Sequence, residues 1–505
     1  MLDLGRTFLQ SVERRPDGVA IVDGAVRLTW LQWSQQVGRL AHGLKAIGLN
    51  RGDMLLSVLQ NRLEAATLHW ACQFLGVVIV PLNWRAKPDE VDYCLQDSDA
   101  KFLVYEPIAA DSVAQSQLAR RVKRIAVQGA PGGDLLYESL LATGDHPSPE
   151  AHSDDLSIML YTSGTTGKPK GVPRRQRTER ISALAHVAQN QYGYDERTLG
   201  VMPLYHTMGV RSLLALALVD GRFICCPKFD PVQALSAIEH ERVTHLYLVP
   251  TLYHDLIGHS RFQCMDISSV RKLGFAGAPM HDGLLLRLNQ VFKPELFVNH
   301  YGSSEIYTFS INQDAVGKPG SAGRAGINSR LRVVPIDATS PDCIAGKGQE
   351  GQIIADLCGD ESFEGYHNRP DANAKSLRDG WYFTGDTGYV DADGDLFVTG
   401  RVDDMILSGG ENISPVDIES ILSLHPSVDE VAVAGLRDER WGQRVVAFIK
   451  SRAEVDPEVL DAHCRSSDLV NFKRPREYVF VREIPKSPVG KILRRKLIAG
   501  EYEKV

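Results

Sequence analysis

The stretch YTSGTTGKPKGV, residues 161–172, gathers three glycines, four Ser or Thr hydroxyls (Thr162, Ser163, Thr165 and Thr166) and two lysines, Lys168 and Lys170, into twelve residues. Backbone N–H groups made accessible by Gly164 and Gly167, hydroxyl donors and ammonium groups together suit an oxyanion-rich ligand such as a phosphate chain. The spacing is not that of a P-loop, which places four residues between two glycines and follows with Lys and Ser or Thr. Here two residues separate Gly164 from Gly167, and Pro169 follows Lys168. Pro169 and Pro173 argue against a long helix after the loop. The apolar run at 156–160 reads as a strand that fixes the loop's entry.

The elements around this loop alternate. The N-terminal segment MLDLGRTFLQSVERRPD reads as an amphipathic helix, not a signal peptide. Thr29 caps a helix through WLQWSQQVGRLAHGLKAIG that closes at Gly48. Gly52 and Asp53 turn into the strand MLLSVL, then RLEAATLHWACQFLG reads as helix and VVIVPL as strand. The rhythm returns beyond the loop in the strand RFICCP, the helix PVQALSAIEHER and the strand THLYLVP. Such alternation predicts an α/β fold with mainly parallel sheets flanked by helices. From about 315 to 400, short β runs with Gly- and Asp-rich turns (RLRVVPI, GQIIADL, WYFTGDTGYV, LFVTG) predict a compact β subdomain. The last hundred residues read as a small α+β domain. Its first helix starts at Pro415 with Ser414 as cap; the strands EVAVAGL, RVVAFIK and EYVFV and the helix PEVLDAHCRS follow. The expected division is a core of 1–402 and a mobile domain of 403–505.

The chain has 505 residues, 43% hydrophobic and 24% charged, which is ordinary for a multidomain globular protein. A net charge of −7 gives no electrostatic case for nucleic acid or an anionic membrane. No apolar run reaches membrane-spanning length; LLALALV is core-sized. Eight cysteines without a C-x-x-C spacing suggest reduced thiols in a cytoplasmic protein, not a disulfide framework or a zinc site.

Five further stretches follow the loop in order: PLYHTMG, YGSSE, WYFTGD, GRVDDMI and PKSPVGKILRRKL. Together, over essentially the whole chain, they resemble the adenylate-forming acyl-CoA synthetase superfamily. The C-terminal stretches GRVDDMI, SGGENI, RWGQ and FKRP resemble the 4-chlorobenzoate or benzoate type of aryl-acid CoA ligase. The resemblance implies two half-reactions. A carboxylate attacks the α-phosphorus of Mg·ATP to give acyl-adenylate and pyrophosphate; the CoA thiol then displaces AMP. ATP and CoA are thus expected co-substrates and Mg²⁺ the expected metal, with a homodimer left open.

Carried over residue by residue, the resemblance assigns the phosphates to Thr162, Ser163, Gly164, Thr165, Thr166, Gly167, Lys168 and Ser304. Lys170 is either a further ligand or structural. Tyr301 would offer adenine an aromatic face. Asp386 would accept from both ribose hydroxyls. Arg401 would reach ribose or phosphate, or else form a salt bridge at the domain junction. Glu305 would hold Mg²⁺, a hard cation suited to carboxylate oxygen. Lys491 would be the catalytic cation of adenylation, bridging carboxylate and phosphate as negative charge gathers. Its neighbours Arg494, Arg495 and Lys496 read as a solvated basic face. The terminal domain would pivot at Asp403 and bring a second face to CoA. That face carries Ser408, Gly409 and Gly410 beside the pantetheine tunnel, Trp441 and Phe472, and Arg474 and Arg476 for phosphate. Trp441 as a domain-core anchor is the plainer alternative.

His206 stands where the family places a gate or a carboxylate contact; a core histidine is its other reading. The acid would lie among Ala185, Thr207, Met208, Tyr247, Ala278, His300, Gly302, Tyr307 and Thr308. Tyr247, His300 and Tyr307 bring polar tips into a slot that is more apolar in the chlorobenzoate type. Buried hydroxyls need partners, so an acid with a hydroxyl, amino group or ring heteroatom is expected in place of a halogen. PLYH is not followed by Phe-Asp, which speaks against amino-acid activation. The leading expectation is a CoA ligase for an aromatic or small cyclic carboxylate. The alternatives are a short- or medium-chain acyl-CoA synthetase, a non-catalytic nucleotide-binding protein of the same fold, and an oxidoreductase acting on the adenylate.

Overall fold

The computed structural model describes residues 2–141, 148–162, 169–486 and 492–505. Three sheets organise the chain, and the α/β character expected from the alternation is present. The first sheet runs Leu135–Leu136, Lys123–Ala126, Phe102–Tyr105, Met54–Val58, Val78–Pro81, Leu156–Thr162 and Lys170–Arg175. Its pairs are parallel except the last, where Thr162 faces Lys170 across an antiparallel pair. Every residue of Val78–Pro81 is buried, as parallel strands covered on both faces require. The strand expected before the glycine-rich loop is therefore formed, and Pro169 leads into a strand, not a helix. Residues 163–168, which carry most of the expected phosphate contacts, lie outside the described residues.

The second sheet has fourteen strands. Arg197–Gly200, Arg222–Cys225, His245–Leu248, Lys272–Phe275 and Leu296–Tyr301 pair in parallel. Antiparallel pairs then continue through Ser310–Asn312, Ser321–Ala325, Leu396–Arg401, Trp381–Val390 and Gly351–Asp356 to Leu331–Val334. The β-rich stretch expected near 315–400 thus continues the second sheet through backbone hydrogen bonds. A strand at a sheet edge leaves unpaired N–H and C=O groups, and annealing satisfies them.

Helices from between and beside these strands bury one large apolar core that reaches both sheets. Phe8 sits at its centre, 4.8–5.3 Å from the rings of Trp30, Trp33 and Trp70. Thr29 caps the helix Trp30–Ala46 as expected: it accepts from the Gln32 N–H at 3.2 Å, while Gln32 accepts from the Thr29 N–H at 3.0 Å. Gly76, at φ 72°, ends Leu63–Leu75 in the left-handed conformation that side chains resist.

The third sheet has five strands between Ile406 and Phe480 and packs on the helices Pro415–Ser423 and Pro457–Arg465. Ser414 holds the cap position of Pro415–Ser423 but makes no capping bond. Its hydroxyl donates instead to the Thr399 carbonyl of the second sheet at 2.5 Å, tying the two regions together. Arg494 also departs from expectation. It is not part of a solvated face: it forks onto Glu419 at 2.6 and 2.8 Å and donates to the Val433 carbonyl at 3.0 Å. A carboxylate 1% exposed demands such a partner. All eight cysteines are free thiols. No described helix is long and apolar enough to cross a membrane.

Candidate active site

Tyr301 ends the strand Leu296–Tyr301, and its hydroxyl donates to Asp386 Oδ2 at 2.6 Å. Arg401 lies opposite Asp386 in the antiparallel pair and meets Oδ1 at 3.0 Å. The three residues expected at the nucleotide are therefore brought together, and the salt bridge expected as the alternative role of Arg401 is formed. Burial, then the Asp386 charge, pushes the Tyr301 phenol far up and keeps it a neutral donor.

Past Tyr301 the chain turns through Gly302, Ser303 and Ser304 to Glu305. A Cβ on Gly302 would lie 2.0 Å from the Tyr307 carbonyl, so this position is taken up by backbone approach and lends no open space to an acyl slot. Glu305 is buried, and its Oε1 accepts from the Tyr366 hydroxyl at 2.6 Å. Tyr366 also supports the ammonium of Lys170, which lies 4.0 Å from its ring centre. Burial pushes the Lys170 pKa down while Glu305 opposes the shift. The turn is held from below by Arg174, which donates to the carbonyls of Ser304 and Glu305 at 3.3 and 3.2 Å. Arg174 is fully buried, pairs with Glu179 and lies 3.7 Å over the Tyr307 ring. Neither Tyr366 nor the Arg174–Glu179 pair was read from sequence as part of the site.

On the acyl side, His206 precedes the helix Thr207–Leu216, and its Nδ1 accepts from the Met208 N–H at 3.3 Å. That bond puts the ring proton on Nε2. Ala185, Thr207, Met208, Tyr247, His300, Tyr307 and Thr308 are all buried, and Ala278 is half-buried after the strand Lys272–Phe275. The polar tips do not share one environment. The Tyr307 hydroxyl turns away to Glu179 at 3.1 Å. Tyr247 and His300 instead meet Arg211, which the sequence reading missed. Its Nη2 donates to the Tyr247 hydroxyl at 2.5 Å; its Nη1 reaches His300 Nε2 at 3.0 Å, Thr308 Oγ1 at 3.1 Å and the Tyr307 carbonyl at 3.1 Å. The slot expected to be apolar with polar tips thus holds a guanidinium. Its place one turn beyond His206 on an otherwise apolar helix was the available signal.

In the C-terminal region, Ser408, Gly409 and Gly410 form a tight hairpin between Ile406–Ser408 and Glu411–Ile413, with φ of 62° and 88° at the two glycines. A Cβ on Gly409 would approach the Trp441 ring at 2.9 Å. Trp441 is 43% exposed beside this hairpin, and Phe472 and Arg476 are also exposed. Arg474 differs from expectation: Asp461 holds its guanidinium at 2.5 Å and Asn471 at 2.8 Å. An arginine already paired is a poorer phosphate ligand. Asp403 is exposed in the single turn Val402–Asp404. Lys491, like Ser163 through Lys168, lies outside the described residues.

A family model described as AMP-binding enzyme matches residues 8–367, and one described as AMP-binding enzyme C-terminal domain matches 417–491. A 4-chlorobenzoate–CoA ligase of Arthrobacter sp is 34% identical over 494 residues, covering 96% of this chain and 93% of that protein. A feruloyl-CoA synthase of Amycolatopsis sp is 34% identical over 494 residues, covering 97% of each. The crystal structure of the anthranilate CoA ligase AuaEII in complex with anthranoyl-AMP aligns with a TM-score of 0.90 at 25% identity, over 99% of this chain and 97% of that one. The chain belongs to the AMP-binding enzyme family and is an AMP-forming acyl-CoA ligase whose substrates are a carboxylic acid, ATP and CoA.

Proposed function

We propose that this ligase activates an aromatic or other small cyclic carboxylic acid. The observation that carries the reading is the packing of Tyr247, His300 and His186, whose ring centres lie 4.7–5.9 Å apart. A wall of flat rings fits a flat or compact substrate and fills the path a long chain would take. The relatives named for chlorobenzoate, ferulate and anthranilate support it.

In this reading the acid's carboxylate attacks the α-phosphorus, and Lys491 stabilises the charge gathering there. Tyr301, Asp386 and Arg401 fix the nucleoside, with Asp386 accepting from ribose. Residues 162–168 and Ser304 hold the phosphate chain. The donors fit magnesium: Glu305 is a single buried carboxylate braced by Tyr366, the type of ligand Mg²⁺ takes alongside phosphate oxygens. When bound, the ion would neutralise phosphate charge. His206, protonated on Nε2, lines the passage between acid and thiol. Residues 403–505 then turn about Asp403 and bring the Gly409–Gly410 hairpin and Trp441 to CoA.

The test is pyrophosphate release by the purified protein with Mg·ATP and a panel of acids, each with and without CoA. The panel spans benzoate, hydroxy- and aminobenzoates, furoate, cyclohexanecarboxylate and linear acids. A turnover maximum on a ring acid, dependent on CoA for thioester formation, is expected. A maximum on linear acids would overturn the reading.

A further inference from the structure

Arg211 is 2% exposed, and no described carboxylate lies within 4.0 Å of it. Its Nη partners are a phenol, an imidazole, a hydroxyl and a carbonyl, all neutral. Its Nε is buried without a partner. The groups around it are likewise donors. His300 Nε2 lies 3.0 Å from both Arg211 Nη1 and Thr308 Oγ1, and its Nδ1 is buried and unpartnered. Asn190 donates its amide to the His186 carbonyl at 2.9 Å and to Nδ1 at 3.0 Å; the His186 proton is then on Nε2, also buried and unpartnered. The Tyr247 oxygen accepts from Arg211, which leaves its own proton for another acceptor.

The cluster therefore has a formal cation and several unsatisfied donors. Orphaned buried donors are destabilising, and a buried charge without a contact partner is more so. Glu361 is the nearby counter-charge: burial pushes its pKa up, Arg211 and Arg174 oppose that shift through space, and it makes no ion pair with Arg211 within 4.0 Å. What the guanidinium lacks is a compact, negatively charged acceptor in direct contact with it; its Nε has none. A carboxylate meets that description and matches a guanidinium edge.

Resting on the acyl-site reading above, we propose that Arg211, with Tyr247, His300 and His186, recognises a second carboxylate, so that the acid activated is a dicarboxylic acid. Arg211 is then a specificity-determining residue. It touches the end of the substrate opposite the carboxylate that is adenylated.

The experiment compares matched pairs on the full-length enzyme: benzoate against the three benzenedicarboxylates, cyclohexanecarboxylate against its dicarboxylates, and linear mono- against dicarboxylates. The monomethyl ester of the best diacid separates charge from simple acceptor geometry. The wild type is expected to prefer the best diacid over its monoacid by at least about 100-fold in kcat/KM, since a site built to bind a polar group rejects the analogue lacking it. Arg211→Met is expected to collapse that ratio toward one, and Arg211→Lys to restore part of it. Should Arg211→Met fail to fold, thermal stabilisation of the wild type by the diacid but not by the monoacid keeps the test decisive. A preference for the monoacid, or an ester as good as the diacid, overturns the inference. A ring monoacid winning sinks Arg211 recognition and leaves the ring reading standing. A linear diacid winning does the reverse.

Discussion

His254 Nε2 lies 3.0 Å from Asp429 Oδ1, joining the helix Pro250–Gly258 of the core to the strand Val428–Asp438 of the C-terminal sheet. Asp255 and Glu430 also face the ring, while Lys450 and Arg452 pair with Asp429 and Lys486 with Glu430. Hydrogen bonds that the ring donates to Asp255 and Asp429 raise the His254 pKa to about 9 against the opposing effect of burial. The folded value lies above the unfolded one, so the stabilisation is fully present below about pH 6.5 and is lost as pH rises through about 9. His254→Gln is expected to lower stability by on the order of 1–2 kcal/mol near pH 6, discounted for partial exposure. It should also flatten the fall in thermal midpoint between pH 7 and 9.5. A variant whose pH profile matches the wild type would mean the contact contributes nothing to holding the two regions together.

Asp386 is contacted from both sides, by Tyr301 and Arg401, which orients its carboxylate before any nucleotide arrives. Asp386→Ala removes the proposed ribose acceptor and leaves Arg401 without this partner. An increase of roughly 10–100-fold in KM for ATP is expected, with KM for the acid little changed. Equal effects on both constants would mark a collapsed site instead of a lost nucleotide contact.

Trp441 tests the second half-reaction. Its ring lies against the Gly409 hairpin and stays 43% exposed, with the Arg440 guanidinium 4.8 Å from the ring centre; a base would stack by displacing Arg440. Stacking of a base on an aromatic ring is worth about 1–3 kcal/mol. Trp441→Ala should therefore raise KM for CoA by about 5–150-fold while acid-dependent ATP–pyrophosphate exchange persists. A fall in thermal midpoint with no change in KM for CoA would make Trp441 a packing residue.

Lys491, in GKILRRKL, is the residue proposed for the first half-reaction. Lys491→Ala is expected to abolish acid-dependent pyrophosphate release but to spare thioester formation from supplied acyl-adenylate. Loss of both activities would remove the division of labour between the two steps.

The sequence disclosed contacts set by local geometry better than contacts set by packing. The Thr29 cap and the strand entering the glycine-rich loop depend on neighbours a few residues apart, so their pattern is visible in one dimension. Tyr301, Glu305, Asp386 and Arg401 were legible through motifs, and the β strands bring Asp386 and Arg401 to Tyr301 from 85 and 100 positions further along. Arg211, Arg174 and Tyr366 were not legible as site residues. Their partners, Tyr247, Ser304 and Glu305, sit 36, 130 and 61 positions away, and no spacing rule announces such a meeting. Ser414 and Arg494 show the same limit from the other side. Each had a plausible local role, and a tertiary partner, the Thr399 carbonyl or Glu419, displaced it.

The Arg174–Glu179 pair gives the sharpest stability test. Both side chains are 0% exposed, and Arg174 carries the backbone of the turn that presents Glu305. Glu179→Ala would strand a guanidinium in the core and free the Tyr307 hydroxyl as well. Removing one partner of a buried pair costs about 3–5 kcal/mol, so urea unfolding should shift by that amount. Glu179→Gln keeps the hydrogen-bond acceptor and should lose less. Because the turn depends on Arg174, residual folded Glu179→Ala protein should also show a raised KM for ATP. A loss below about 1 kcal/mol would mean that another group, with Glu361 the first to test, takes up the charge of Arg174.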